Sequence, residues 1–357
     1  MNPYQIFDVP TDQGTRTSMT EAYIEKVLAY YGIPAKVVKH VMAPQIDVYH
    51  VDAEDPAAVT QLKKPLAALG AVWHRHVAPA RSPIAHFAIE VDARERKTVY
   101  TGACLEAVQA DLQGRVAVLG EDTNGDVLTV DVTKMPHILI AGVPGSGKSV
   151  CLNTIISTLA YLYPDPARLQ LVLIDPKRVE LAPFAALPHL RAPVAETPDE
   201  AVRRLAGLCR YMDERYAQMA RRGIKNATDA GWAPMVVVID ELADLMLTSR
   251  YEAEEHIVRL AQKGRAAGIH LIIATQRPTA NVITGLIKSN IPCKIAMTTA
   301  SIRDSINILD HKGAETLTGK GDAILRLPDR VEEIRFQCAY TTERDVERLV
   351  NSICAKR

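Results

Sequence analysis

Apolar residues follow several distinct rhythms along this chain. Between residues 20 and 32 they recur at helical spacing and stop at Gly32-Ile33-Pro34, a glycine-then-proline terminator. Residues 35–41 and 45–51 read as strands, 59–70 as a helix and 84–91 as another strand. From residue 116 the pattern changes. Residues 116–132 alternate apolar and polar positions around Gly120 and Asn124-Gly125, which predicts a β-hairpin leading into a larger sheet. Short runs of Ile, Val and Leu then follow at 137–141, 169–174, 235–239, 269–274 and 294–298, separated by helical segments. Continuous apolar strands of this kind predict a parallel sheet covered on both faces. The expectation is a doubly wound α/β core over 116–357, a smaller α+β domain over 19–115 and a flexible lead-in over 1–18, where Pro3, Pro10 and Gly14 interrupt a polar stretch.

Composition narrows this only a little. A chain of 357 residues that is 48% hydrophobic is ordinary for a globular protein and long enough for two domains. Lys plus Arg equals Asp plus Glu at 42 each, so binding to a polyanion would have to come from local placement of charge. The six cysteines, at 104, 151, 209, 293, 338 and 354, form no CxxC pair and have no histidine at zinc spacing. They read as reduced thiols and place the chain in the cytoplasm. No stretch approaches the ~20 apolar residues of a membrane span.

The strongest chemical signal is Gly142-Val143-Pro144-Gly145-Ser146-Gly147-Lys148-Ser149, which follows an apolar strand and precedes a helical run starting at Val150. Glycines at 142, 145 and 147 let the backbone curl so that its N–H groups face phosphate oxygens. Lys148 reaches the β- and γ-phosphates, and the Ser149 hydroxyl ligates Mg²⁺. The pattern predicts a site for ATP and Mg²⁺. Downstream, Met235-Val-Val-Val-Ile-Asp240-Glu241 ends a buried strand in two carboxylates. Asp240 is expected in the Mg²⁺ shell, and Glu241 is expected to orient and deprotonate the attacking water. Gln276, in Thr275-Gln276-Arg277-Pro278, ends another strand on the same rim and could sense the γ-phosphate. Asp175 ends a third, where a capping role and a place in the water or metal network are both open.

Beyond these motifs the chain resembles the FtsK/SpoIIIE family of double-stranded DNA translocases from about residue 19 to the C-terminus. The resemblance rests on Met135-Pro-His-Ile-Leu-Ile-Ala-Gly142, Gly145-Ser-Gly-Lys-Ser-Val-Cys-Leu-Asn153, Leu173-Ile-Asp-Pro-Lys177, Val238-Ile-Asp-Glu-Leu-Ala-Asp-Leu-Met246, Arg265-Ala-Ala-Gly-Ile-His270, Ala274-Thr-Gln-Arg-Pro278 and Val282-Ile-Thr-Gly-Leu-Ile-Lys288. It implies a RecA-like P-loop NTPase motor behind a smaller domain, assembled as a hexameric homo-oligomer around double-stranded DNA.

Three departures from the family pattern stand out. Lys294, in Ile291-Pro-Cys-Lys294, occupies the place of an arginine that completes the neighbouring subunit's site; lysine brings charge but no bidentate fork, which makes Arg265 an alternative. Ile306 replaces a pore-facing arginine, with Arg303 three positions earlier. The loop after Leu327-Pro328 is short, with Asp329-Arg330-Val-Glu before the next strand. DNA phosphates are therefore expected at Arg303 and Arg330, with Lys320 a weaker third.

The missing membrane region and winged-helix module, set against the family, point to a motor of a plasmid, phage or integrative element, with room for a membrane-protein or relaxosome-type partner that the residues do not specify. Two rivals are a secretion-type ATPase engaging protein, and a regulatory ATPase that clamps DNA without processive movement. The basic run from Arg203 to Lys225 reads as a solvated helix face, and Trp73 and Trp232 read as packing residues.

Overall fold

A computed structural model of the chain describes residues 21–93, 96–108, 114–135 and 137–355. The lead-in expected over 1–18 lies outside the described residues. Two compact units form: one holds the described residues up to Val99 together with Glu121–Asp126, and the other holds Tyr100–Gly120 and the chain from Val127 onward.

The smaller unit contains α1 (Glu21–Tyr30), β1 (Ala35–Met42), β2 (Ile46–Ala53), a 3₁₀ turn (Pro56–Gln61), α2 (Lys63–Trp73), β3 (Val77–Ala80) and β4 (Phe87–Asp92). Its strands pair antiparallel in the order β1-β2-β4-β3. Side chains of β2 alternate, so Tyr49 and Val51 join Ile24, Leu28, Leu69, Phe87 and Ile89 in one core, while Ile46 and Val48 meet Ala43 and Ala88 in a smaller cluster. Each fully buried leucine here contributes about 1.5–3 kcal/mol.

Several expectations shift for local reasons. The helix expected over 59–70 is a 3₁₀ turn capped by Asp55 followed by α2, because Pro65 has no N–H and fits only in a first turn. The strand expected from residue 84 begins at Phe87, since the Ser82 hydroxyl accepts from the amides of Ile84 and Ala85 at 3.2 and 2.8 Å and holds a turn there. β3, an edge strand carrying Pro79, was not anticipated. Neither was α3 (Thr101–Ala107). α3 belongs to the larger unit: the Thr101 and Thr341 hydroxyls lie 2.7 Å apart, and Tyr100 bridges Tyr340. The division therefore falls at Val99, earlier than the expected 115/116.

The larger unit is organised on a nine-stranded sheet. β5 (Val116–Asp122) and β6 (Val127–Asp131) form the expected hairpin around Asn124-Gly125. β7 (His137–Ala141), β8 (Gln170–Ile174), β9 (Met235–Ile239), β10 (Ile269–Thr275) and β11 (Cys293–Met297) are the anticipated parallel strands, with β12 (Asp322–Arg326) and β13 (Ile334–Cys338) antiparallel beside them. The order is β6-β5-β13-β12-β11-β7-β10-β9-β8.

Helices α4 (Lys148–Leu162), α5 (Pro198–Arg222), α6 (Leu242–Thr248), α7 (Arg250–Lys263), α8 (Gly285–Asn290), α9 (Ile302–Leu309) and α10 (Glu343–Cys354) complete the unit. Every residue of β7, β9, β10 and β11 is buried, which is what permits uninterrupted apolar runs. Strand order reverses about β7, so a crevice opens at the carboxyl ends of the parallel strands.

α5 carries Arg203, Arg210, Arg221 and Arg222 on its exposed face, as expected of a solvated helix. Arg215 is the exception: it is buried, donates to the Ala267 carbonyl and packs over the rings of Tyr211 and Trp232. Trp232 is thus a packing residue, as is Trp73 against Tyr23. No helix among the described residues is long and apolar enough to cross a membrane.

Candidate active site

The chain leaves β7 at Ala141, in the interior of the sheet, and turns through residues 142–147 into α4. Each glycine of this loop is required for a different reason. A Cβ on Gly142 would sit 2.7 Å from the Met297 Cβ; Gly145 has φ 78° and faces open space; Gly147 has φ 108°, and a Cβ there would lie 2.6 Å from the Gly321 nitrogen. Neighbouring strand ends anchor the loop. The Gly142 and Val143 amides donate to the carbonyls of Thr275 and Thr298 at 3.3 and 2.9 Å, while the Gly321 amide donates to the Ser146 carbonyl at 2.7 Å. Val143 is half-buried, and Pro144 and Gly145 form the exposed crest. No side chain caps α4, so the first-turn amides of Lys148, Ser149 and Val150 are left to an external acceptor, and the helix dipole favours an anion there.

The side chain of Lys148 is almost completely buried. Its ammonium donates to the Asp240 carbonyl at 2.8 Å and to Asp240 Oδ1 at 2.6 Å. Burial pushes the Asp240 carboxyl above its ordinary range, and Lys148 works against that. The pair is held by a fold that has removed both charges from water, where breaking it by deleting one partner would cost about 3–5 kcal/mol.

Glu241 is 1% exposed and caps α6, with Oε1 accepting from the Ala243 amide at 3.2 Å. Oε1 also accepts from the Thr275 hydroxyl at 2.6 Å, and the Gln276 amide donates to Oε1 and Oε2 at 3.2 and 3.1 Å. Lys177 Nζ lies 3.5 Å from Oε2 and 3.7 Å from Asp244. Oε2 is the less engaged oxygen, so it keeps capacity for a further donor such as water.

Lys148, Ser149, Asp240, Glu241 and Gln276 therefore lie on one rim formed by the ends of β7, β9 and β10. The Asp175 carboxylate accepts from the amides of Lys177, Arg178, Val179 and Leu181, so it organises the loop after β8, where it caps no helix. Lys294 is not on this rim. It stands near the start of β11, at the opposite end of the sheet, with its ammonium 3.1 Å from Asp310 Oδ2. Lys288 and Arg326 reach the same carboxylate at 2.6 and 3.0 Å. Lys294 is thus paired within its own chain. Arg265, the alternative, is exposed beside a groove of about 840 Å³ shared with Arg115, Lys134, Arg168 and Lys263.

Arg303 is exposed on α9 between Ile302 and Ile306, themselves 53% and 44% exposed, and Arg330 is exposed in the turn between β12 and β13. Lys320 is placed differently: its loop packs on Gly147 of the phosphate loop. The contributions of Thr275 and Lys177 were not read from sequence. Both side chains stand at strand ends beside recognised motifs, and position on the rim was the available signal.

A family model described as the FtsK/SpoIIIE family matches residues 106–233 and 228–280. The chain belongs to the FtsK/SpoIIIE family. Among family relatives, it is 40% identical over 341 residues to the DNA translocase FtsK of Caldanaerobacter subterraneus subsp. tengcongensis, covering 92% of this chain and 48% of that protein. It is 41% identical over 278 residues to the DNA translocase SftA of Bacillus subtilis, covering 74% of this chain and 29% of that protein. The chain spans half or less of the length of these relatives. Its fold is also that of the pCW3 conjugation coupling protein TcpA, solved in monomer form with ATPgS, at TM-score 0.65 and 24% identity over 94% of this chain and 99% of that one. The cytoplasmic domain of the Thermomonospora curvata Type VII secretion ATPase EccC gives TM-score 0.62 at 22% identity, covering 72% of this chain and 34% of that one. Both likenesses place the family's P-loop ATPase fold on this chain.

Proposed function

We propose that this chain hydrolyses ATP and uses the energy to move double-stranded DNA, working as a homo-oligomeric, hexameric ring in the cytoplasm. The observation that carries the reading is the phosphate-loop rim, where Lys148 and Asp240 form a buried pair beside a Glu241 carboxylate that Thr275 and Gln276 hold in place. Family membership with relatives named DNA translocases supports DNA as the substrate.

ATP binding exchanges one Lys148 partner for another: the ammonium leaves Asp240 for phosphate oxygens, and the carboxylate is freed. The donor set fits Mg²⁺, since the Ser149 hydroxyl and the Asp240 carboxylate are hard oxygen ligands on one rim. When bound, the ion neutralises charge on the β- and γ-phosphate oxygens. Glu241 Oε2 takes a proton from water as the water oxygen bonds to the γ-phosphorus; the bond from that phosphorus to the bridging oxygen breaks, leaving ADP and phosphate. We assign to the Gln276 side chain, on the residue whose amide holds Glu241, the reading of whether the γ-phosphate is present.

The test is ATP turnover with and without duplex DNA of arbitrary sequence, beside displacement of a triplex-forming strand. Turnover should rise with duplex, and Glu241→Gln should bind nucleotide while losing about 10²–10⁴-fold in hydrolysis. A wild-type protein that ignores DNA would turn the reading toward a protein substrate. DNA-stimulated turnover without triplex displacement would indicate a clamp.

A further inference from the structure

The turn from Thr318 to Asp322 is built more firmly than a surface connection requires. Gly319, Lys320 and Gly321 have φ values of 79°, 53° and 95° in succession. Glycine adopts such angles freely, whereas a residue with a Cβ gives up about 1 kcal/mol to do so. Glycine already stands on both sides, so a third would relieve the strain, yet the position carries a lysine. Strain kept at one residue inside an over-determined frame is a mark of a side chain in use.

The frame is well defined. Asp322, 1% exposed, accepts from the Thr318 amide and hydroxyl at 2.8 and 3.0 Å and from Arg335 Nε and Nη2 at 3.0 and 2.7 Å. Gln337 Nε2 donates to the Lys320 carbonyl at 2.9 Å, and the Cys338 amide donates to the Gly321 carbonyl at 2.7 Å. Immediately after Lys320, the Gly321 amide donates to the Ser146 carbonyl of the phosphate loop at 2.7 Å. Lys320 is thereby fixed one residue from that loop. Its side chain is exposed, and its ammonium pairs with no described residue.

Direction of approach decides what it can touch. Asp240 and Glu241 both follow β9, which lies with β10 on one side of β7, whereas Lys320 just precedes β12, beyond β11 on the other side. A cation arriving there meets the part of a bound nucleotide farther from the hydrolytic carboxylates. We propose that Lys320 is a second nucleotide-binding lysine, whose ammonium engages the α- and β-phosphates of a nucleoside di- or triphosphate; this rests on the reading of residues 142–149 as the nucleotide site. Lys148 serves the reacting end and Lys320 the retained end, so Lys320 contributes to affinity for product and substrate alike. The alternative destination for its charge is the phosphate backbone of DNA.

Fluorescent ATP and ADP titrations of wild type, Lys148→Ala, Lys320→Gln, Lys320→Gly and Lys320→Arg separate these cases. Loss of one charge-assisted contact at an exposed site should weaken both ATP and ADP about five- to tenfold in the Gln and Gly variants. The Arg variant should keep affinity, and turnover at saturating ATP should stay within about twofold, because the lost contact is the same before and after the reaction. Lys320→Gly should also melt at a higher temperature than Lys320→Gln, since it sheds the backbone strain, which rules out unfolding as the cause of weaker binding. Unchanged ATP and ADP affinity in both variants, with Lys148→Ala weakened, overturns the proposal while leaving the phosphate loop intact. A reduced salt slope of DNA stimulation at unchanged nucleotide affinity overturns it in favour of DNA. Wild type that binds no nucleotide removes the reading of the phosphate loop and the proposal with it.

Discussion

At the scale of single residues, the site depends on what holds Glu241. Its carboxylate is positioned by the Thr275 hydroxyl at 2.6 Å, a contact made across 34 residues of sequence and between the ends of two adjacent strands. Thr275→Val removes this donor with little change of volume. Turnover should fall about tenfold or more as the carboxylate loses its alignment, with nucleotide affinity unchanged, and Thr275→Ser should restore most of the rate. Full turnover in the valine variant would mean that the remaining partners, the Gln276 and Ala243 amides and Lys177, suffice. Lys148, Ser149 and Asp240 were legible because each lies in a contiguous motif whose spacing the chemistry dictates. Thr275 was not, because its role exists only once β9 and β10 lie side by side. Lys294 is a second case: its pairing with Asp310, contributed by the end of another helix, exists only in the folded chain and was not legible in sequence.

Elements were read well where burial is uniform and poorly where it is divided. The runs of β7 to β11 could be assigned because strands covered on both faces read as near-continuous apolar sequence, with His270 and Lys294 their internal polar exceptions. β3 and α3 were missed because the first is a four-residue edge strand with a proline and the second is seven residues long, too short to show a helical period. The junction of β11, α8, α9 and β12 was also invisible in the pattern, since it is made of charges. Asp310 has φ 72° and collects Lys288, Lys294 and Arg326. Partial burial pushes its carboxyl up, but hydrogen bonds from Lys288 and Lys294 outweigh this and hold it down to about 2. An acid held below its unfolded value of about 3.9 stabilises the fold above that pH, and the stability is lost as pH falls from about 4 toward 2. Asn tolerates the same backbone, so Asp310→Asn is the clean variant. It should be less stable at neutral pH, and its denaturation midpoint should fall less between pH 4 and 2 than that of wild type. Parallel pH profiles would show that the three cations do not depend on this carboxylate.

For the whole molecule, equal numbers of acidic and basic residues mean that any hold on DNA is local. Arg303 and Arg330 are the exposed candidates, and apolar Ile302 and Ile306 flank the first. With so few cations, DNA stimulation should fall with salt, and Arg303→Ala should reduce the log-log slope by about 0.9 while leaving basal turnover intact. An unchanged slope would remove Arg303 from the DNA path. These two arginines and the nucleotide are not isolated from each other in the fold. β12 starts two bonds from the phosphate loop, through Gly321 and Ser146, and finishes at Arg326, which grips Asp310 just before the turn that bears Arg330. Its five residues span about 17 Å and are hydrogen-bonded on both sides, to β11 and β13. Such a strand neither stretches nor shears. It is a stiff connection: in the proposed motor, a shift of Ser146 on nucleotide binding would be carried along β12 to Arg326 and the turn that bears Arg330.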